Sequence, residues 1–475
     1  MAASINCWKC LSRPSIAVIQ LSSRVARVAA SAPFSSTSTN LALPAPTRKA
    51  ASTTKGVKTN LKINKKPRPK ESRKPPATGE RKALRKRIVL SNTNALEVAG
   101  MEDLSPEIVD AIAKDTAEGE AGSGLVGKVV GLPGATVDSL RAIEAFKTTQ
   151  GWGLFRRPGT LIRKETADLT RALLAAQKEK STLTLMLDGA KGTGKSMMLL
   201  QAQASAFAKS WIVLHIPEAQ ELSNGVNDYA PIPGSDLWAQ PTYTAEWLAK
   251  IGKANNEILK TLKMKNTHNL PVPIEKDITL ARFCELGSRD PDIAWSFFQA
   301  FWTELNLPGR PPVLLTLDGM SYIMGMSEYR DTDNKFIHCH NLALVKHFAD
   351  HISGTSKLAN GGAIIGSTSR SHNPISLSMD LAIYQALQRQ AKQEITQKDP
   401  FEKKYDERAT KALQNASAMM IGGLTKKESR GLMEYWAASG VLRQRVDEQT
   451  VAERWALAGH GVAAEIQRGA LRMRI

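Results

Sequence analysis

The chain has 475 residues, 42% of them apolar, 23% charged and 6% aromatic, with 64 Lys or Arg against 45 Asp or Glu and a formal net charge of +19. A chain of this length carries two or three domains at roughly 100–200 residues each, and the composition excludes a collagen, a coiled-coil rod and a disulfide scaffold. Residues 1–100 hold 20 basic and 3 acidic residues, whereas residues 101–475 hold 44 and 42, so the basicity belongs to an N-terminal arm. Cys7, Cys10, Cys284 and Cys339 are too few and too scattered for a disulfide framework, which suggests a reducing compartment. No run of about 18 apolar residues occurs, so no transmembrane helix is expected.

Residues 1–40 carry Arg13, Arg24 and Arg27 among many Ser and Ala, with no Asp or Glu. That is the composition of a mitochondrial transit peptide, and Ile16, Ile19, Val25 and Val28 suit a short amphipathic helix. Gln20, Ser22, Ser23 and Arg24 interrupt the apolar stretch that a secretory signal needs. The competing reading is a solvated basic tail. Across 41–90 a basic extension follows, in which Lys65, Lys66, Arg68, Lys70, Arg73 and Lys74 alternate with Pro67, Pro69, Pro75 and Pro76. Proline at this density keeps the chain extended, and such a strand can lay positive charge along a phosphate backbone, where counterion release drives sequence-independent binding; the competing reading is a longer transit peptide that is cleaved away. Residues 91–150, with the Gly-rich passage from Gly119 to Gly134, are expected to be a connecting region.

The informative motif lies in a nucleotide-binding domain expected over 151–375. After a helical segment at about 164–180, Leu183-Thr-Leu-Met-Leu-Asp188 reads as a strand, then Gly189-Ala-Lys-Gly192-Thr-Gly-Lys195-Ser196 fits G-x-x-x-x-G-K-[ST] and leads into a helix over about 195–209. This is the P-loop pattern in its required context. Glycines let backbone amides turn toward phosphates, and the helix presents its positive N-terminus. Gly189, Ala190, Lys191, Gly192, Thr193, Gly194, Lys195, Ser196 and Met197 are therefore expected to hold the nucleotide. Lys195 would reach the β- and γ-phosphates and Ser196 would place its hydroxyl on Mg²⁺.

Further along, Trp211-Ile-Val-Leu-His-Ile216 reads as a buried strand, followed by a helix over about 243–263. Pro312-Val-Leu-Leu-Thr-Leu-Asp318 is a second buried parallel strand, and its Asp318 is the expected Walker B carboxylate that joins Ser196 at the metal. An active AAA+-type ATPase usually has Glu after this Asp; here the residue is Gly319, so weak or absent hydrolysis is expected. A helix over about 335–352 precedes the strand Gly362-Ala-Ile-Ile-Gly-Ser367-Thr368-Ser369. Its hydroxyls occupy the place of a γ-phosphate sensor, so Ser367, Thr368 and Arg370 are candidate sensing residues, with an ordinary strand cap and a surface arginine as the competing reading. The alternation predicts a parallel α/β domain. No N-K-x-D element occurs, and a P-loop reads phosphate rather than base, so GTP, GDP and ATP all stay open.

Three constellations are discounted. Cys7-Trp-Lys-Cys10 lacks a second ligand pair. In the cluster His338, Cys339, His340, His347 and His351, the i, i+4 pair His347 and His351 lacks the Glu of H-E-x-x-H, and Trp295, Phe297, Phe298, Phe301 and Trp302 fall at helical spacing, as a core or interface does.

After Asp380 the strand pattern stops, and a helical C-terminal domain over 376–475 is expected, with helices at about 378–397, 408–420, 425–438 and 448–468. The third opens with a Thr425-to-Glu428 capping box and closes at Gly440. The architecture is thus a P-loop, AAA+-like parallel sheet with a helical C-terminal domain and a disordered basic N-terminal arm.

Gly189-Ala-Lys-Gly-Thr-Gly-Lys195-Ser196, Val313-Leu-Leu-Thr-Leu-Asp318-Gly319 and Glu434-Tyr435-Trp436-Ala-Ala-Ser-Gly440-Val-Leu-Arg443 together resemble the family of mitochondrial small-subunit ribosomal proteins also called death-associated protein 3, over about residues 140–475. The resemblance implies a structural component of the head of the mitochondrial small subunit. It implies contacts with ribosomal RNA and neighbouring proteins, and a bound guanine nucleotide. Lys195, Ser196 and Asp318 carry over by motif match. The alternative is a mitochondrial AAA+/STAND-like NTPase switch acting in apoptotic signalling.

Overall fold

The computed structural model describes residues 90–115, 124–275, 277–371 and 373–472. The expected transit peptide, nearly all of the basic extension, the arm residues Lys65, Lys66, Arg68, Lys70, Arg73 and Lys74, and the Cys7/Cys10 pair lie outside the described residues.

Five strands form one parallel sheet: β1 (Thr182–Asp188), β2 (Ile212–Ile216), β3 (Val313–Asp318), β4 (Gly362–Ser367) and β5 (Ser417–Met420), in the spatial order β5-β1-β4-β3-β2. Every residue of β2, β3 and β4 is buried, because a parallel sheet is covered on both faces. Alternation along the strands sorts the core. Leu185, Leu187, Val213, Leu314 and Ile365 face one cluster, and Met186, Leu214, Leu315, Leu317 and Ile364 face the other.

The registers matter for function. Ser367 lies opposite both Leu187 and Asp318, and Met420 lies opposite Asp188, so β1, β3, β4 and β5 all end at one rim. Ligands of open α/β sheets bind beyond the carboxyl ends of the strands. The P-loop strand β1 and the Asp318 strand β3 are separated there by β4 alone.

The described residues of 91–150, a region expected to connect, instead build part of the core. Helix α1 (Pro106–Lys114) packs on α2 (Lys164–Glu179). Val109 and Ile112 are 1% exposed, and Leu132, Leu140, Ile143 and Phe146 join the same cluster as the helix after the P-loop, α3 (Lys195–Ala208). The elements are short, with nine residues in each of two helices, which is why their periodicity is hard to read without the surface they cover.

Other elements differ from the sequence reading for local reasons. The helix expected over 243–263 is two, Pro241–Ala254 and Asn256–Thr261. Asn255 breaks it because its side chain accepts from Val213 N and donates to Val213 O at 2.8 and 2.9 Å. The segment 335–352 begins as a strand, Phe336–His338, antiparallel to Met326–Arg330, before the helix Ala343–Ile352. Strands do not stop after Asp380. The expected 408–420 helix ends at Leu413 and β5 follows, pairing with β1; Ser-Ala-Met-Met has little strand propensity of its own, and the open edge of β1 supplies the partner. Gly459 and Gly461, both at positive φ, divide 448–468 into Glu448–Leu457 and Ala463–Leu471.

The helix Lys426–Ala438 has its expected capping box: Glu428 N donates to Thr425 Oγ1 at 3.2 Å and Thr425 N donates to Glu428 Oε2 at 2.8 Å. Its Met433, Tyr435 and Trp436 form a third cluster with Phe155, Leu161 and Leu424, joining the C-terminal helices to the approach to the P-loop. The His and aromatic residues behave as core. Phe297, Phe298 and Phe301 are no more than 1% exposed, His347 and His351 stand edge-on to Trp302, and burial pushes the His347 imidazole well below its ordinary pKa, with His351 adding to the effect.

Candidate functional site

β1 delivers the loop. Gly189 has φ +155° and lies so close to Ile421 that a Cβ there would sit 2.3 Å from the Ile421 carbonyl oxygen; Gly194, at φ +102°, turns the chain into α3. Both positions need glycine. Gly194 has no side chain with which to cap, and no side-chain cap bond closes the start of α3, so the first-turn amides are left without a side-chain acceptor at a helix start whose Lys195, Ser196 and Met197 line the cavity, as a phosphate site requires. Lys195 is buried, and its Nζ donates to the carbonyls of Gly189 and Ala190 at 2.7 and 2.8 Å, across the mouth of the loop. Burial lowers its pKa, against the opposing pull of Asp188 and Asp318.

The strand end at β3 meets this loop. Ser196 Oγ donates to Asp318 Oδ2 at 2.7 Å, and Ser367 Oγ, one strand over, donates to Asp318 Oδ1. These are the two expected metal-site residues in direct contact, with one candidate sensor on the same carboxylate. A residue that the sequence reading passed over completes the group: Lys147 forms an ion pair with Asp318 Oδ2. Asp318 is 3% exposed. Burial, the largest single influence, would raise its pKa, but the Lys147 ammonium and the hydrogen bonds from Lys147, Ser367 and Ser196 together outweigh it, and the net pKa is lowered.

The remaining candidate sensors gather on another carboxylate. Arg370 grips Asp188 with two bonds, Nε to Oδ1 at 2.9 Å and Nη2 to Oδ2 at 2.7 Å, while its Nη1 reaches Asp380 at 2.6 Å. Thr368 Oγ1 also donates to Asp188 Oδ1. Ser367, Thr368 and Arg370 thus line the strand ends, each spoken for by an aspartate. Burial, which would raise the Asp188 pKa, is outweighed by the bonds from Arg370 and Thr368.

Arg163 is a second residue without a sequence signal. Buried at 5% exposure, it donates to Thr193 O at 2.8 Å and Gly422 O at 2.9 Å, and so ties the P-loop to the segment after β5. Gly319 follows Asp318 at φ +82°, with its amide donating to Ser367 O. The backbone at the position of the missing glutamate is therefore left-handed, a conformation side chains other than glycine's adopt at a cost.

Of these residues Lys147, Arg163, Thr193, Gly194, Lys195, Ser196, Asp318, Gly319, Thr368 and Arg370 line a cavity of 710 Å³, within the range of small-molecule sites, which Tyr435 and Ala464 also line. Lys191, exposed, is part of its lining. The donor set suits a nucleotide with a hard cation: loop amides and Lys195 for phosphate, and one hydroxyl plus one carboxylate for Mg²⁺, which takes oxygen ligands. Among the described residues no group of three or more His, Cys, Asp or Glu could hold a metal ion, and no helix is long and apolar enough to cross a membrane.

Comparison with known proteins adds a relationship over nearly the whole chain. The family described as mitochondrial ribosomal death-associated protein 3 matches over residues 160–469. The chain is similar to a Neurospora crassa protein named small ribosomal subunit protein mS29, with 44% identity over 477 residues and 99% of each chain covered. A Schizosaccharomyces pombe protein of the same name is 26% identical, over 68% of this chain and 67% of that one. Among solved structures, a Walker-type ATPase of Pyrococcus abyssi aligns over 65% of this chain and 66% of its own at 15% identity and a TM-score of 0.33.

Proposed function

Because the chain belongs to the mitochondrial ribosomal death-associated protein 3 family, we propose that it is a mitochondrial protein, a structural component of the small ribosomal subunit, that holds a purine nucleotide with Mg²⁺ as part of its fold. The family and the full-length relatives named mS29 support the ribosomal role. For the nucleotide the supporting observation is the contact of Ser196 with Asp318 beside Lys195, on strand ends that share one rim.

Gly189, Ala190, Lys191, Gly192, Thr193, Gly194 and Met197 wrap the phosphates in this reading. Lys195 leaves the loop carbonyls for the β- and γ-phosphates, and Ser196 and Asp318 hold the cation, which neutralises phosphate charge when bound. GTP, GDP and ATP all fit this phosphate chemistry. The C-terminal wall, with Tyr435, Trp436 and Ala464, closes the same cavity, so a bound nucleotide links the helices to the sheet. A ligand selective for the native state stabilises it by RT ln(1 + [L]/Kd), about 2.7 kcal/mol at a hundredfold excess over Kd. The basic arm, Lys65, Lys66, Arg68, Lys70, Arg73 and Lys74, and neighbouring ribosomal proteins supply the contacts to ribosomal RNA and to the subunit.

The test is nucleotide extraction and chromatography of the purified protein, joined to sedimentation of the tagged chain on a high-salt gradient. A stoichiometric purine nucleotide and co-migration with mitochondrial small subunits are expected. Protein free of nucleotide after purification in Mg²⁺ overturns the first half, and recovery in free fractions alone overturns the second.

A further inference from the structure

A P-loop site that lacks glutamate after its Walker B aspartate needs another carboxylate if bound triphosphate is to be hydrolysed. Three carboxylates line the cavity. Asp318 is held by Lys147, Ser196 and Ser367, and Glu465 pairs with Arg468 at 2.7 Å. The third is Glu218, which is exposed and whose carboxylate has no hydrogen-bond or ion-pair partner among the described residues.

Its position is set by the sheet. β2 is the immediate neighbour of β3, with Ile216 opposite Leu317, and Glu218 lies two residues beyond the end of β2. The next residue locks it there, since Ala219 N donates to Asp318 O at 2.9 Å. A Cβ on Gly319 would lie 3.9 Å from the Ala219 Cβ, so the segment carrying Glu218 occupies the flank of the very position where the glutamate is missing. Gly319 itself, at φ +82°, leaves that flank clear of a side chain.

We propose that Glu218 is the general base of a slow hydrolysis of bound purine nucleoside triphosphate, supplied from the strand beside the Walker B strand. The inference rests on the nucleotide-binding reading above. The carboxylate accepts a proton from a water whose oxygen forms a bond to the γ-phosphorus. The bond from that phosphorus to the β–γ bridging oxygen breaks, the electron pair stays on the β-phosphate, and nucleoside diphosphate and inorganic phosphate result. A positioned general base contributes about 10²–10⁴-fold.

The full chain is loaded with GTP, and separately ATP, in Mg²⁺, and single-turnover formation of diphosphate and phosphate is followed by chromatography for the wild type, Glu218→Gln and Glu218→Asp. In parallel, fluorescence titration measures the Kd of a non-hydrolysable triphosphate analogue. Expected are a rate loss of about 10²-fold or more in Glu218→Gln, a Kd within twofold of wild type, partial activity in Glu218→Asp, and a shift of the nucleotide extracted from Glu218→Gln toward triphosphate. Glu218→Gln hydrolysing at the wild-type rate with binding intact overturns the role of Glu218 and leaves the nucleotide site standing. So does a wild type that binds triphosphate and returns it uncleaved. Absence of analogue binding to the wild type overturns the site and this inference together.

Discussion

Lys147→Met removes the one cation bonded directly to Asp318 and keeps the aliphatic stem. In the wild type the carboxylate is 3% exposed and shares its two oxygens among Lys147, Ser196 and Ser367. Stripping one partner from a buried ion pair costs roughly 3–5 kcal/mol, because the other charge stays buried. Two hydroxyl donors remain here, and the Lys147 side chain is 29% exposed, so the loss is reduced to about 1–2 kcal/mol at neutral pH. The sign of the pH dependence follows from the lowered pKa of Asp318. A depressed carboxylate contributes stability that is present above its unfolded pKa and is lost as pH falls through the folded value. The gap between wild type and variant is therefore full at pH 7 and narrows as pH falls below about 4, near the ordinary Asp pKa. Mg²⁺ with nucleotide, drawn to the same carboxylate, stabilises Lys147→Met more than the wild type, since no ammonium has to be displaced. Urea denaturation at pH 7 and in acid, with and without Mg²⁺ and GTP, reads all three. Equal stability at pH 7, or a gap that stays constant into acid, refutes the assignment of the ion pair as the source.

Lys195→Ala is expected to purify with less than a tenth of the wild-type nucleotide, measured by extraction and chromatography; unchanged content sinks the site. Arg370→Gln leaves Asp188 with Thr368 and the Gly189 amide, and because the arginine is a third exposed the cost is about 1 kcal/mol. That loss, too, fades as pH drops through the lowered pKa of Asp188, and a variant as stable as wild type at pH 7 counts against the clamp. Gly319→Glu places the usual glutamate on a left-handed backbone. It is expected to lose about 1–2 kcal/mol of stability without raising single-turnover hydrolysis, whereas a rate above wild type means that the backbone accommodates the residue.

The P-loop was legible because its chemistry is local: a buried strand, glycines that let amides turn, and a Lys-Ser pair at a helix start all fall within some fifteen residues. The Walker B strand was legible for a related reason. Six buried residues ending in Asp318 make a run that only a doubly covered parallel strand needs, and the Thr425 capping box marks a helix start through three-residue spacing. Lys147, Arg163 and Glu218 carry no such mark. Lys147 sits 171 positions before Asp318 in a region that reads as a connector, and Arg163 reaches across to Gly422. A charged residue two positions after the buried strand Ile212–Ile216 was the one available hint to Glu218.

Sequence alone therefore determined the P-loop pattern, the strand that ends in Asp318, the absence of a glutamate behind it and the family. Hydrogen bonding between neighbours in the chain and burial along single elements are enough to specify these. The tertiary structure decided which charges share an aspartate, that Ser-Ala-Met-Met becomes an edge strand of the sheet, and that the described part of 91–150 folds onto the core. Those outcomes depend on groups brought together from distant segments, where electrostatics and burial act through space and leave no period or spacing in the chain.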